Sequence, residues 1–115
     1  MNVSNIETLN LNDSSVMGIV IRSGEVCFKL NYVDDYDSDS SSFRLLVFEE
    51  CRSFSSTVNL DVEWPDSILL ASETHDGEWR SILIEMNTSA SVFNVSCRSV
   101  RLEPCADNPL EQCFI

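Results

Sequence analysis

Apolar residues recur at every second position along much of this chain. The runs that carry them are short, rich in β-branched residues and bounded by turn formers, so the pattern predicts strands rather than helices. From Val16 to Leu30 two such runs flank Ser23-Gly24. With those two residues as the loop, Arg22 faces Glu25, Ile21 faces Val26, Ile19 faces Phe28 and Met17 faces Leu30. A second hairpin is expected around Asp76-Gly77, a dipeptide suited to a two-residue type I′ turn. Its pairs would be His75 with Glu78, Glu73 with Arg80, Ala71 with Ile82, Leu70 with Leu83 and Leu69 with Ile84. The alternative for its first arm is a short helix opened by Pro65 and running to Ala71.

Between the hairpins, Phe43–Glu50 reads as a strand buried on much of both faces. Val58–Trp64 alternates apolar with polar without a break, which predicts a strand with Asp61 and Glu63 turned outward. Phe93, Val95 and Cys97 share one face, whereas Val100 and Leu102 fall on the opposite parity. A bulge or kink near Arg98-Ser99 would return them to the core. About seven short strands, with room for one short helix at most, predict an all-β fold: an antiparallel β-sandwich or half-open barrel built from hairpins.

A chain of 115 residues with 43% apolar content suits a single domain spanning 1–115. Residues 34–42 read as a flexible acidic loop and 104–115 as a C-terminal extension. Nineteen acidic residues against seven basic ones give a net charge of -12, and four of the acids crowd into Asp34, Asp35, Asp37 and Asp39. Such a field repels nucleic acid and membranes and steers in a positively charged partner. The chain shows no export signal and no apolar stretch long enough to cross a bilayer, so a cytoplasmic location is expected. Four N-x-S sequons, at Asn2, Asn12, Asn87 and Asn94, would matter only in an exported chain. Cys27, Cys51, Cys97, Cys105 and Cys113 are odd in number and form no C-x-x-C, which predicts reduced thiols, several of them buried.

Candidate chemistry is sparse. Asp35-x-Asp37-x-Asp39 opens like a calcium loop, but Ser40 and Leu46 stand where such a loop needs glycine and a bidentate glutamate. The single histidine, His75, sits in an expected tight turn without a nucleophile motif, and the spacing of Cys97, Cys105 and Cys113 matches no zinc knuckle. The three glycines form no phosphate cradle, and the basic residues are scattered singly. The expectation is therefore a binding protein without cofactor or metal, not an enzyme. Asp34, Asp35, Asp37, Asp39, Asp61 and Glu63 are its electrostatic contacts. Trp79 is the aromatic anchor, with Trp64, which ends an alternating apolar face, as its alternative.

In the Val16–Leu30 hairpin, in Leu45–Glu49 followed by Cys51, and in the closing Phe93–Glu103, the chain resembles the small immunity proteins of bacterial polymorphic toxin systems, including contact-dependent growth inhibition. The resemblance implies an antidote that binds one cognate basic toxin domain, of nuclease type, and occludes its active site or substrate cleft. It identifies no ligand residue. The competing readings are an acidic accessory subunit and a polyanion mimic that inhibits a nucleic-acid-binding protein.

Overall fold

In the computed structural model, which describes residues 1–105, the first hairpin pairs β1 (Ser15–Arg22) with β2 (Glu25–Asp35) around Ser23-Gly24, with Gly24 at φ 73. Arg22–Glu25, Ile21–Val26 and Ile19–Phe28 lie opposite each other as expected. Leu30 faces Val16 instead of Met17, because the register shifts between Val16 and Gly18. The extra residue bends β1 so that Ser15 and Val16 can also pair with Ser67 and Asp66 of β5 (Asp66–Asp76). β3 (Ser40–Glu49) continues the meander and buries Leu46, Val47 and Phe48 in succession, as a strand covered on both faces must.

β5 and β6 (Trp79–Met86) form the second hairpin, and the helix alternative at Pro65–Ala71 does not occur. The loop residues are Gly77 and Glu78, one position later than expected. Only Gly77 has positive φ, which is the II′ requirement, whereas a type I′ turn needs two such residues. Each partner therefore moves by two residues: Glu73 lies opposite Ile82, His75 opposite Arg80 and Ala71 opposite Ile84. The same displacement sets Leu70 opposite Glu85 instead of Leu83, and a register shift between Ile68 and Leu70 leaves Leu69, expected opposite Ile84, unpaired and exposed.

Two elements differ more strongly from expectation. Val58–Trp64 is not a strand. The strand in this part of the chain is β4 (Ser53–Thr57), which pairs with β7 (Val92–Cys97). The chain must then cross β7 and β6 to reach β5, roughly 14 Å at ordinary strand spacing, and 58–65 is that crossing. Asn59 fastens it to the β6–β7 connection through its N–H to Ser91 Oγ (2.9 Å) and its Nδ2 to Ser89 O (2.7 Å). The acidic segment 34–42 is also more ordered in secondary structure than a loop: Asp34 and Asp35 end β2, Ser40–Ser42 open β3, and only 36–39 form the tip. Of the extension, Pro104 ends β8 (Ser99–Pro104), Cys105 follows it, and 106–115 lie outside the described residues.

The strand order is β4-β7-β6-β5-β1-β2-β3-β8, antiparallel throughout. Its two ends meet, because β3 runs on into β4 and β7 runs on into β8 with one bend at Arg98, the position where the parity changes. Arg98 N–H donates to Glu49 O (3.2 Å) and Arg52 N–H to Ser96 O (2.9 Å), so the ladder crosses the corner and rolls the sheet into a half-open barrel. Phe28 stands at its centre, edge-on to Phe48, Phe54 and Phe93 at 5.6, 6.5 and 5.3 Å. Residues 1–3 run along β8, with Val3 N–H to Val100 O and Leu102 N–H to Met1 O both 2.9 Å. Ile6, which opens a 3-10 turn at Ile6–Thr8, and Leu11 beyond that turn add buried side chains to the core.

Candidate functional site

Most of the arginines are committed inside the molecule. Arg22 pairs with Glu25, Arg44 with Asp34, Arg80 with Glu73, Arg98 with Glu78, and Arg101 with both Glu49 and Glu103. Four of them, Arg22, Arg52, Arg98 and Arg101, gather around the corner where the sheet rolls over, near the Ser23-Gly24 turn, whose Gly24 O accepts from Cys51 N–H at 2.9 Å.

At the other end of β3 the balance reverses. This strand has ten residues, so the β2–β3 tip lies about 30 Å from the corner. Asp34 is neutralised there by Arg44 at 2.9 Å and accepts from Ser42 Oγ. Asp35 accepts the N–H of Asp37 at 2.9 Å and so shapes the turn. Among the described residues, Asp35, Asp37 and Asp39 join no ion pair, and neither does Asp13, which stands close enough to Tyr36 to affect its phenol. Burial of its ring first, and then the Asp13 carboxylate, hold the Tyr36 hydroxyl above the usual phenol range.

Tyr36 is the aromatic at this tip, 49% exposed, and its hydroxyl donates to Asn12 O at 2.7 Å. Asn10 secures the neighbouring chain: its Nδ2 donates to Val33 O (3.0 Å) and Asp34 O (3.3 Å), and its N–H donates to the buried Tyr32 hydroxyl (2.9 Å). Segment 10–14 continues to β5, where Asp13 N–H reaches Ile68 O at 2.9 Å. The crossing that carries Asp61 and Glu63 enters β5 on this same side. Both acids are exposed, and so are Val58 and Leu60 on the crossing and Leu69 and Leu70 at the β5 bulge.

Trp79 is elsewhere. Its ring lies under two guanidinium groups, Arg52 at 4.4 Å and Arg98 at 4.7 Å, at the corner. The structure thus brings Asp34, Asp35, Asp37 and Asp39 together with Asp13 and Tyr36, places Asp61 and Glu63 on the flanking crossing, and leaves Trp79 at the far end. Trp64 is half-buried against the core, with its Nε1–H on Asn59 O at 3.1 Å. Tyr36 and Asp13 were missed at the sequence level. The signal was a tyrosine inside an acidic tetrad, but what joins it to Asp13 is a long-range contact.

A third cluster caps the core. Glu73, with no side-chain exposure, accepts from Arg80 Nε (2.7 Å), Arg80 Nη2 (3.0 Å) and the Ile6 N–H (3.0 Å), with His75 Nε2 at 2.6 Å. Burial works to raise its pKa, but the hydrogen bonds from Arg80 and Ile6 and the nearby positive charge win, and the carboxyl lies below the ordinary range. The carboxylate is held from every side by its own protein, which is an arrangement for structure. Among the described residues no three His, Cys, Asp or Glu side chains are placed to hold a metal ion, and no helix is long and apolar enough to cross a membrane. Comparison of the chain with protein-family models and with curated proteins returns no match.

Proposed function

We propose that this chain is an inhibitory binding protein of the immunity type, docking a basic partner domain against the end built from Asp13, Asp34, Asp35, Tyr36, Asp37 and Asp39, with Asp61 and Glu63 at its flank. One observation carries the reading: Asp13, Asp35, Asp37 and Asp39 gather without a counter-ion at one end, while four of the six arginines, Arg22, Arg52, Arg98 and Arg101, stand at the other. A charge separation along the molecule orients an approaching cationic surface as well as attracting it. Such steering raises association to about 10⁸ to 10⁹ M⁻¹ s⁻¹ at low salt. A nuclease-type toxin fits as the partner because its substrate cleft must already be cationic.

The exposed apolar residues favour a dedicated protein partner over polyanion mimicry. A mimic needs only charge, whereas Tyr36, Leu60, Leu69 and Leu70 offer the apolar and aromatic contacts that slow dissociation at protein interfaces.

The test is capture on the tagged chain from its host, with washes at low and then high salt, followed by stopped-flow association of the purified partner. The expected result is one stoichiometric basic domain that survives high salt. The Asp35→Asn/Asp37→Asn/Asp39→Asn variant should bind it at least about tenfold more slowly at low salt, with a shallower salt dependence. A broad set of basic proteins lost at high salt would replace this reading with polyanion mimicry. An unchanged rate in the triple variant would remove the tip from the mechanism.

A further inference from the structure

At the corner of the barrel the ladder carries two residues against one. Between the Arg98 N–H to Glu49 O bond and the Arg52 N–H to Ser96 O bond, Glu50 and Cys51 lie on one strand and Cys97 alone on the other. Glu50 takes the extra turn with φ 53 and faces solvent, which directs Cys51 back toward the core, where it packs against the buried cluster that contains Cys97. Facing residues of antiparallel strands sit about 4.5–5.5 Å apart at Cα, inside the range a disulfide spans. The two groups are thiols here: Cys51 Sγ–H donates to Phe48 O at 3.2 Å, and the two stand close enough to shift each other's acidity.

We infer that Cys51 and Cys97 are a redox-active pair, a modification site at which a low-molecular-weight disulfide such as oxidised glutathione is reduced and an internal disulfide is formed across the corner. The environments divide the roles. Cys51 is partly exposed and Cys97 is fully buried, so the reagent meets Cys51 first. The hydrogen bond from Cys97, helped by the Val26 N–H and opposed by burial, holds the Cys51 thiol below its ordinary range. The same hydrogen bond and its own burial push Cys97 far up.

In the first step the Cys51 thiolate attacks one sulfur of glutathione disulfide, forming a mixed disulfide and releasing one glutathione thiolate. In the second, Cys97 gives up its proton and attacks the Cys51 sulfur, releasing the other glutathione. Two protein thiols are oxidised, one glutathione disulfide is reduced to two glutathione molecules, and the thiol protons pass to the departing thiolates. The bond would tie β3–β4 to β7–β8 at the place where the rolled sheet closes.

The experiment uses the full chain equilibrated with glutathione redox buffers, quenched by alkylation and digested with trypsin. The diagnostic product is a disulfide between peptides Leu45–Arg52 and Ser81–Arg98, each of which contains a single cysteine. Oxidation should raise Tm by roughly 10 °C or more, because the crosslink closes a long loop. Cys97→Ser should stop at the mixed disulfide on Cys51, and Cys51→Ser should lower the rate of glutathione uptake at least about tenfold. Should Cys97→Ser not fold, Cys97→Ala serves for trapping, and Cys51→Ser still gives the rate. Glutathione retained on Cys51 in the unmutated chain, or linkage through Cys105 or Cys113 with Cys51 and Cys97 still open to alkylation, would overturn the assignment.

Discussion

Truncating Glu73 to Ala tests whether the buried carboxylate, more than the apolar core around it, holds the N-terminal segment onto the barrel. The substitution leaves the Arg80 guanidinium, whose side chain is only 10% exposed, without its bidentate partner, and it orphans the Ile6 N–H. Breaking a buried pair from one side costs about 3–5 kcal/mol, and a buried donor left unmade adds about 1–3 kcal/mol. A loss of about 4 kcal/mol or more is therefore expected, a large share of the roughly 5–15 kcal/mol that holds a domain together. Urea unfolding followed by tryptophan fluorescence reads it. Glu73→Leu/Arg80→Met, which removes both charges, should recover at least about 2 kcal/mol of the single-site loss. The same carboxyl gives a pH signature. Its folded pKa is depressed below the ordinary 4.5, so its contribution is present at neutral pH. That contribution is lost progressively as pH falls below about 4.5 toward the folded value, because the unfolded chain takes up the proton first. Protonation also relieves the self-repulsion of a chain at -12, so the informative quantity is the difference between the unmutated protein and Glu73→Gln across pH 7 to 3. A Glu73→Ala loss below about 1 kcal/mol, or a double variant as unstable as the sum of its parts, would refute the reasoning.

Asp66 accepts the N–H groups of Ser67, Thr88 and Ser89 at 2.8, 3.1 and 2.8 Å, and Asp66→Ala should cost about 3 kcal/mol by urea unfolding. Burial works against the charge of Asp66, yet these hydrogen bonds hold its pKa below 3.8, so acid should weaken this anchor only below that pH. Phe28→Ala should cost about 3–5 kcal/mol, because three aromatic neighbours pack around the ring at the centre of the barrel. Trp79→Phe should keep the fold and cost under about 1 kcal/mol in thermal unfolding, since a phenyl ring still stacks under Arg52 and Arg98. Tyr36→Phe keeps every charge at the acidic end and removes only the tether to Asn12. Stopped-flow kinetics should show an unchanged association rate and faster dissociation from a bound partner.

The sequence made the architecture legible wherever apolar alternation coincided with a turn former. The Ser23-Gly24 hairpin, the doubly buried run ending at Phe48 and the parity change at Arg98 all follow from local pattern. The Gly77 turn was legible to within one residue, because Asp76-Gly77 and Gly77-Glu78 are both acceptable loops, and the choice rests on how many positive φ values the turn must hold. β4 was hidden because Ser53–Thr57 contains one apolar residue, Phe54, among hydroxyls. Its pairing to β7 is imposed by the corner, not by its own composition. Val58–Trp64 misled in the opposite sense: its alternation is that of a strand, but the chain needs those residues to cross two neighbours. At the candidate site the acids were plain, and their company was not. Asp13 reaches Tyr36 only through the fold, and Trp79 is covered by arginines from two other segments.

The placement of charge also bears on why so acidic a chain holds together. Self-repulsion at -12 works against a compact state, and seven bases cannot neutralise nineteen acids wherever they stand. A chain selected for stability alone would interleave the few cations among the densest acids. Here only Arg44 stands at the acidic end, while Arg22, Arg52, Arg98 and Arg101 crowd the corner, where Arg52 and Arg98 share one tryptophan ring. Repulsion is therefore left uncompensated among Asp13, Asp35, Asp37 and Asp39. The tip is held in place against it by the Tyr36 hydroxyl, the Asn10 amide and the Asp34–Arg44 pair. The cationic partner proposed above would relieve that repulsion on docking and would meet groups already ordered, so less of the interaction would be spent on fixing the surface. On the proposed function, that bound state would account for charge placement that costs the free protein stability.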